Sequence, residues 1–118
     1  AGQCEITYEA VPEDADWSRV ADATALEIYR IAQEAVANAM KHSGATRIDV
    51  AMRLEDNSLS LTVSDNGQPQ QHASAGIGRR TMRQRAAAIN GQITTESEGG
   101  STTVRLTISS LPEKKTRP

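Results

Sequence analysis

The sequence predicts a two-layer α+β sandwich, in which a mixed, mostly antiparallel five-stranded sheet carries two helices on one face. Five short segments alternate apolar and polar residues at the period of a strand, and two longer segments repeat apolar residues at the period of a helix. Their order is strand, helix, two strands, polar loop, helix, two strands. Because strands adjacent in sequence pair as antiparallel hairpins, one mixed sheet is the natural arrangement.

The composition limits the classes of function. A chain of 118 residues is long enough for one core, and 13 basic against 15 acidic residues argue against a general nucleic-acid or membrane-surface binder. The absence of Phe, with one Trp and two Tyr, removes the stacking platforms that hold single-stranded nucleic acid. The single cysteine, Cys4, fits a reduced cytosolic setting. No run of apolar residues approaches the length of a membrane span. We therefore expect the chain as given to be soluble, although it could be a piece of a membrane protein.

The first strand is expected over residues 4–11, where Ile6 and Tyr8 alternate with polar residues. Pro12 ends it, and an acidic loop follows. Trp17 in this loop is interpreted as a packing residue at the edge of the sheet.

The long helix is predicted from Thr24 to Ser43. Thr24 and Glu27 have the spacing of a capping box, and Gly44 can adopt the left-handed conformation that closes a helix. At about 100° per residue, one side of this helix is apolar. That side consists of Ile28, Ile31, Ala32, Ala35 and Ala39.

The remaining elements are two hairpins and a second helix. Residues 47–54 and 59–63 alternate around the turn at 56–58 and form the first hairpin. The second helix is expected at about 79–89, closed by Asn90-Gly91, with Met82, Ala86 and Ile89 on its inner side. The last hairpin joins residues 92–97 and 102–109 through Glu98-Gly99-Gly100-Ser101.

The polar side of the long helix has chemistry suited to a nucleotide. Glu34, Asn38 and Lys41 share this side, with His42 at its border. A carboxamide oxygen can ligate Mg²⁺, an ammonium can meet a phosphate, and an acid can orient or deprotonate an attacking group. The alternative is a solvated face on which Arg30 pairs with Glu34.

Residues 65–78 form a long polar stretch, which we expect to be a mobile lid. At its start, Asp65 ends an apolar strand and can accept a hydrogen bond from an exocyclic amino group such as adenine N6. Gly67 would let a base approach the backbone closely. The alternative is a plain turn, because Asp-Asn-Gly is also typical of turns.

Gly76-Ile77-Gly78 precedes the second helix. Free backbone N–H groups and the positive end of the helix dipole there could bind phosphate, and Arg79, Arg80 and Arg83 could add positive charge. The alternative is a glycine hinge followed by solvated arginines.

Together these segments resemble a known family. Tyr29 to His42 is similar to the N box of the GHKL ATPases, specifically the catalytic domains of sensor histidine kinases of the nitrate-sensor, DesK and UhpB class. Asp65-x-Gly67 resembles the G1 box, and Gly76-x-Gly78 with Met82 and its flanking arginines resembles the G2 box. Residues 100–104 resemble the closing glycine–threonine segment. The match covers nearly the whole chain.

The resemblance implies a Bergerat-type sandwich that binds Mg-ATP between the helices under the lid. It implies that Asn38 ligates Mg²⁺, that Glu34 is the catalytic acid of the N box, and that Lys41 and His42 approach the phosphates. It also implies roles at the base: Asp65 binds the adenine amino group, Thr102 supports it through Asp65, and the pocket is shaped by Gly67, Gly76, Ile77 and Gly78.

Three features depart from the family pattern. Pro69 stands where the G1 box usually has a second glycine, and it fixes φ and removes a donor. Arg79 replaces the usual apolar residue after G-x-G, and the lid lacks aromatic residues. We expect these features to affect the conformation of the lid and its hold on the triphosphate more than adenine binding.

The expected function is that of the ATP-binding catalytic domain of a two-component sensor histidine kinase, with residues 1–111 as the domain and 112–118 as a tail. The γ-phosphate would go to a histidine on a dimerisation domain that this chain lacks, and then to a response regulator. His72 lies in the lid and is expected to be a solvated loop residue. The parent protein would be a homodimer and membrane-anchored, with this domain in the cytoplasm. The alternatives are an anti-sigma-factor-like serine kinase and a non-catalytic interaction module.

Overall fold

The computed structural model describes residues 3–42, 44–67 and 73–111. These residues form five strands, two α-helices and one short 3₁₀ helix at Trp17–Arg19. In chain order the main elements are β1 (Glu5–Val11), α1 (Asp22–His42), β2 (Arg47–Glu55), β3 (Ser58–Asp65), α2 (Ala73–Ala88), β4 (Gln92–Glu98) and β5 (Ser101–Ile108).

The five strands form one sheet in the order β1-β2-β3-β5-β4. β1 and β2 are parallel, because α1 connects them, and the other three pairs are antiparallel. The predicted mixed, mostly antiparallel sheet is therefore confirmed.

The core lies between one face of the sheet and the two helices. In β2, β3 and β5, alternate residues are buried against the helices, as the period of a strand requires. The largest fully buried side chains of this core are Ile31, Ile48, Leu59, Leu61, Met82, Leu106, Ile108 and Val63. The opposite face of β3 carries small polar residues, and Ser64 Oγ lies 3.0 Å from Thr103 Oγ1 of β5 on that face.

The start of α1 corrects the predicted capping box. The helix begins at Asp22, and the N–H of Ala25 donates to the carbonyl of Ala21 at 2.9 Å. An acidic residue in the first turn suits the positive end of the helix dipole, which favours this earlier start. Thr24 thus lies inside the first turn, and Glu27 instead pairs with Arg85 of α2 at 3.1 Å. The apolar side is as predicted, and Gly44 has φ +65° after the helix.

The start of α2 also differs from the prediction. The helix begins at Ala73, six residues before the predicted position, and continues through the two glycines of the polar stretch. Its end is as predicted: Asn90 takes φ +57°, and the N–H of Gly91 donates to the carbonyl of Ala86 at 2.7 Å. Pro69, His72 and the tail at 112–118 lie outside the described residues.

β1 is an exposed edge of the sheet. Ile6 and Tyr8 are paired with Ile48 and Val50 of β2 and so lie on the side of the helices, yet Ile6 is 50% exposed and Tyr8 is 65% exposed. The alternation predicted a strand correctly, but no described helix covers this end of the sheet. Trp17 packs against the core beside it, as expected.

Candidate functional site

The site centres on Asp65, the last residue of β3. It is 9% exposed and is the one buried charged residue among those described. One carboxylate oxygen accepts the N–H of Gly67 at 2.8 Å, which turns the chain sharply after the strand. Asp65 is the cross-strand partner of Thr102 in β5, so their side chains lie on the same face. The predicted pair is therefore brought together.

Asn66 fixes the backbone next to Asp65. Its side-chain oxygen accepts the N–H groups of Thr46 and Arg47 at 2.9 and 3.0 Å, and its amide nitrogen donates to Thr46 Oγ1 at 3.0 Å. The end of β3 is thereby attached to the start of β2. From the sequence alone, Asn66 is only the middle of a turn, because nothing local indicates partners about twenty residues away.

A small cavity of about 20 Å³ lies between the helices and the sheet at this point. α1 contributes Asn38 to its lining, and β3 and β5 contribute Asp65 and Thr102. α2 contributes Arg79 and Met82. Three residues predicted for nucleotide binding, from three different elements, therefore surround one cavity.

Glu34 lies outside this cavity. It lines a separate open groove of about 640 Å³ between α1 and α2, together with Arg30, Thr81 and Arg85. No ion pair joins Arg30 and Glu34 in the described part of the chain, where the three ion pairs are Arg47–Asp49, Arg53–Glu55 and Arg85–Glu27. The described residues therefore do not show the Arg30–Glu34 pair of that alternative, and Glu34 is partly buried.

The predicted phosphate contacts lie near the ends of the two helices. Lys41 is exposed in the last turn of α1, and His42 is the final residue of that helix. The Gly76-Ile77-Gly78 segment lies within the first two turns of α2 instead of preceding it. The side chains of His42 and of Ile77 lie outside the described part of the structure.

A magnesium site would depend on oxygen atoms from a nucleotide. Among the described residues, no group of three or more His, Cys, Asp or Glu side chains could hold a metal ion by itself. Mg²⁺ commonly keeps several waters and takes one or two protein ligands together with substrate phosphates. The carboxamide of Asn38, at the cavity that Asp65 lines, fits that pattern.

Comparison with known proteins identifies the family. Residues 23–112 match the family model described as histidine kinase-, DNA gyrase B- and HSP90-like ATPase. This match spans the long helix, the Asp65 strand end and the last hairpin. The chain belongs to this ATPase family. The described part of this ATPase domain contains no helix long and apolar enough to cross a membrane.

Curated relatives of the ATPase domain are sensor kinases. The sensor histidine kinase LiaS of Bacillus subtilis is 30% identical over 112 residues, which are 88% of this chain and 31% of LiaS. The nitrate/nitrite sensor protein NarX of Escherichia coli is 37% identical over 94 residues, which are 76% of this chain and 15% of NarX. The chain thus spans less than a third of the length of these relatives.

Solved structures confirm the fold of the ATPase domain. The catalytic domain of histidine kinase ThkA superposes with a TM-score of 0.70 at 19% identity, covering 93% of this chain and 82% of that one. The blue-light-activated histidine kinase of Erythrobacter litoralis gives 0.68 at 23% identity, over 92% of this chain and 36% of that one. The ATPase domain therefore has the sandwich fold found in histidine kinase catalytic domains.

Proposed function

We propose that this ATPase domain is the catalytic part of a two-component sensor histidine kinase and that it donates the γ-phosphate of Mg-ATP to a histidine on a separate dimerisation domain. The observation that supports this most directly is the cavity at which Asn38, Asp65 and Thr102 meet. Each residue comes from a different element, so sequence proximity does not explain the grouping.

The adenine would be recognised at the end of β3. A buried carboxylate at the end of a strand has two acceptor oxygens, which suits the exocyclic amino group of adenine. Thr102, directly across from Asp65, would orient that carboxylate, by way of water or directly. Gly67 follows without a side chain, which leaves the backbone open to the base, and Gly76, Ile77 and Gly78 would shape the pocket on the side of α2.

The triphosphate would extend from Asp65 to Asn38, between Glu34 on one side and the end of α1 on the other. The carboxamide oxygen of Asn38 would ligate Mg²⁺, which offsets the charge of the phosphates when bound. Lys41 and His42, at the end of the same helix, would approach the phosphates.

Glu34 would act on the histidine that receives the phosphoryl group. Its groove between α1 and α2 is open to solvent, so a partner domain can reach it. The imidazole nitrogen forms a bond to the γ-phosphorus, the bond to the bridging oxygen breaks, and ADP leaves with that electron pair. Glu34 would orient the imidazole and accept its proton.

The proposal extends to the parent protein. Because the relatives are about three times longer or more, the phosphoacceptor histidine, the dimer contacts and any membrane anchor would lie in parts outside this chain. We propose a homodimeric kinase whose phosphoryl group passes on to a response regulator, with this domain in the cytoplasm.

The first test is thermal unfolding with a non-hydrolysable ATP analogue and Mg²⁺. At about 100 times its Kd, such a ligand should add roughly 2.7 kcal/mol of stability and raise Tm by several degrees. Asp65→Asn should abolish the shift, because the amide would present a donor to the adenine amino group. Asp49→Asn on the outer face of the sheet is the matched control and should retain the shift. A shift that survives Asp65→Asn would contradict the adenine assignment.

A second candidate is an interaction module that has kept the fold without productive nucleotide binding. The small volume of the cavity favours it, because pockets that hold drug-sized ligands have roughly 300–1,000 Å³. Asn38→Ala separates the two candidates. In a kinase domain it should remove the Mg²⁺ dependence of nucleotide affinity, whereas the interaction module should show no such dependence before or after the change.

A further inference from the structure

Arg79 lines the cavity that contains Asp65 and Asn38. It is partly buried in α2, one turn before the fully buried Met82, whereas Arg80 and Arg83 are exposed. The structure therefore separates three neighbouring arginines that the sequence alone treated as equivalent. Only Arg79 among them lines this cavity.

The charge of Arg79 has no counterpart in an ion pair of the described residues, whose three pairs involve Arg47, Arg53 and Arg85. The cavity also contains the carboxylate of Asp65, which repels an incoming polyphosphate. A guanidinium at the same cavity offsets that repulsion and presents a planar set of donors that matches phosphate oxygens.

The space available also implicates Arg79. A volume of about 20 Å³ holds roughly one water molecule, so a base can enter only if a lining side chain moves. The lining from α1 and the sheet consists of short or branched side chains on regular elements. Arg79 has the longest and most flexible side chain of the lining, so it can leave the cavity while its guanidinium stays close to the ligand.

We propose that Arg79 is a phosphate-binding residue that gives way to the adenine and pairs with the α- or β-phosphate of the bound nucleotide. This inference rests on the proposed nucleotide site and adds to it a side-chain contact from α2. With Arg79 in this role, the affinity for a nucleotide depends more strongly on its phosphates than it would if only backbone groups bound them.

The test compares Arg79→Leu with Arg80→Leu. Both variants remove one positive charge from α2, but only the first changes the lining of the cavity. Binding of Mg-ADP and of a non-hydrolysable Mg-ATP analogue is measured by calorimetry, and binding of adenosine by NMR titration. Unfolding without ligand checks that each variant is folded.

We expect Arg79→Leu to weaken both phosphate-bearing ligands by about ten- to hundredfold, the range of a charge-assisted hydrogen bond, and to leave adenosine within about twofold. Arg80→Leu should leave all three ligands nearly unchanged. Arg79→Lys should recover part of the loss, because it restores the charge without the planar fork.

Three results would overturn the inference. Equal losses for adenosine and the nucleotides would place Arg79 against the base, unchanged affinities would remove it from the site, and tighter binding of every ligand would make it only an obstruction. Each of these leaves the nucleotide site itself intact. If the unmodified chain binds neither nucleotide, or binds them equally after Asp65→Asn, the proposed function fails and this inference fails with it.

Discussion

Asn66 shows how a single side chain can hold a binding residue in place. Three side-chain hydrogen bonds connect it to Thr46 and Arg47, and it lies between Asp65 and Gly67. Removing the carboxamide leaves two backbone N–H groups without their acceptor, and it releases the turn that directs the Asp65 carboxylate.

We predict that Asn66→Ala lowers the free energy of unfolding by about 0.5–1.5 kcal/mol, because its hydrogen bonds are at the exposed surface, where water replaces part of them, and that it also weakens nucleotide binding. Urea denaturation and calorimetry measure the two effects. Gln33→Ala is the control, because it removes a single exposed hydrogen bond, to Tyr29 at 3.1 Å, within one helix. Equal stability losses in the two variants would show that Asn66 has no special role.

At this scale the sequence predicted residues whose chemistry is evident from their local pattern. Asp65 and Gly67 were identified from a strand end followed by turn residues, and Asn38 from its face of the helix. Asn66 was not identified, because its partners are 19 and 20 positions away in the chain. Arg79 could be distinguished from Arg80 only after the orientation of α2 was known.

Among the elements, β1 and β2 are connected on the outer face by a polar cluster. The hydroxyl of Thr7 donates to Asp49, and Arg47 Nε lies 3.2 Å from the same carboxylate. The Thr7 hydrogen bond is the main cause of a pKa of Asp49 below its usual value, and Arg47 adds to it.

Thr7→Val should therefore raise the pKa of Asp49 toward that of an ordinary aspartate. A lowered pKa in the folded state contributes stability above the unfolded-state pKa, and that stability is lost as the pH falls through the folded-state value. NMR titration of the Asp49 carboxyl group measures the change. An identical titration in Thr7→Val would mean that Arg47 alone controls this carboxylate, and Ser60→Ala on the same face serves as the control.

The two helices are connected by Glu27 and Arg85, which are 24% and 33% exposed and 3.1 Å apart. We predict a coupling energy of about 0.5–1 kcal/mol from a double-mutant cycle with Glu27→Gln and Arg85→Gln. The exposed pair Arg53–Glu55 is the comparison and should give less. A coupling no larger than that of Arg53–Glu55 would show that the helices are held by apolar packing alone.

The existence and type of each element were predictable from periodicity, whereas the helix starts were not. Thr24 and Glu27 have the spacing of a capping box, but α1 begins two residues earlier, at Asp22. Glu27 instead forms an ion pair with α2. The glycines before Arg79 indicated a loop, yet helix continues through them. For α1, the acidic residue in the first turn and the ion pair with α2 outweighed a capping signal that depends on only two residues.

For the molecule as a whole, the sheet order predicts a gradient of stability. β2, β3 and β5 have neighbours on both sides, whereas β1 is paired only with β2 and leaves Ile6 and Tyr8 half exposed or more. Hydrogen exchange should therefore be slowest in these three inner strands and faster in β1. Protection in β1 equal to that in β3 would contradict this. Asp65 and Thr102 belong to two of the three strands that are expected to open last.

The overall architecture was predictable because two hairpins and two amphipathic helices can be combined into one sheet with a buried face in only a few ways. Exposure of β1 was not, because periodicity shows which side of a strand is apolar but not whether another element covers it. The residues that line the cavity could not be predicted either, since they depend on where α1, α2 and the sheet meet.

The pairing of Asp65 with Thr102 also restricts where residues can be inserted into this chain or deleted from it. Because side chains alternate between the two faces, deleting one residue from the middle of β3 or β5 would send one partner to the outer face. An insertion at the turn of Gly99 and Gly100 lies beyond the paired residues and would leave this register unchanged. Natural or engineered insertions should therefore be tolerated at that turn, whereas single-residue deletions within β3 or β5 should abolish nucleotide binding.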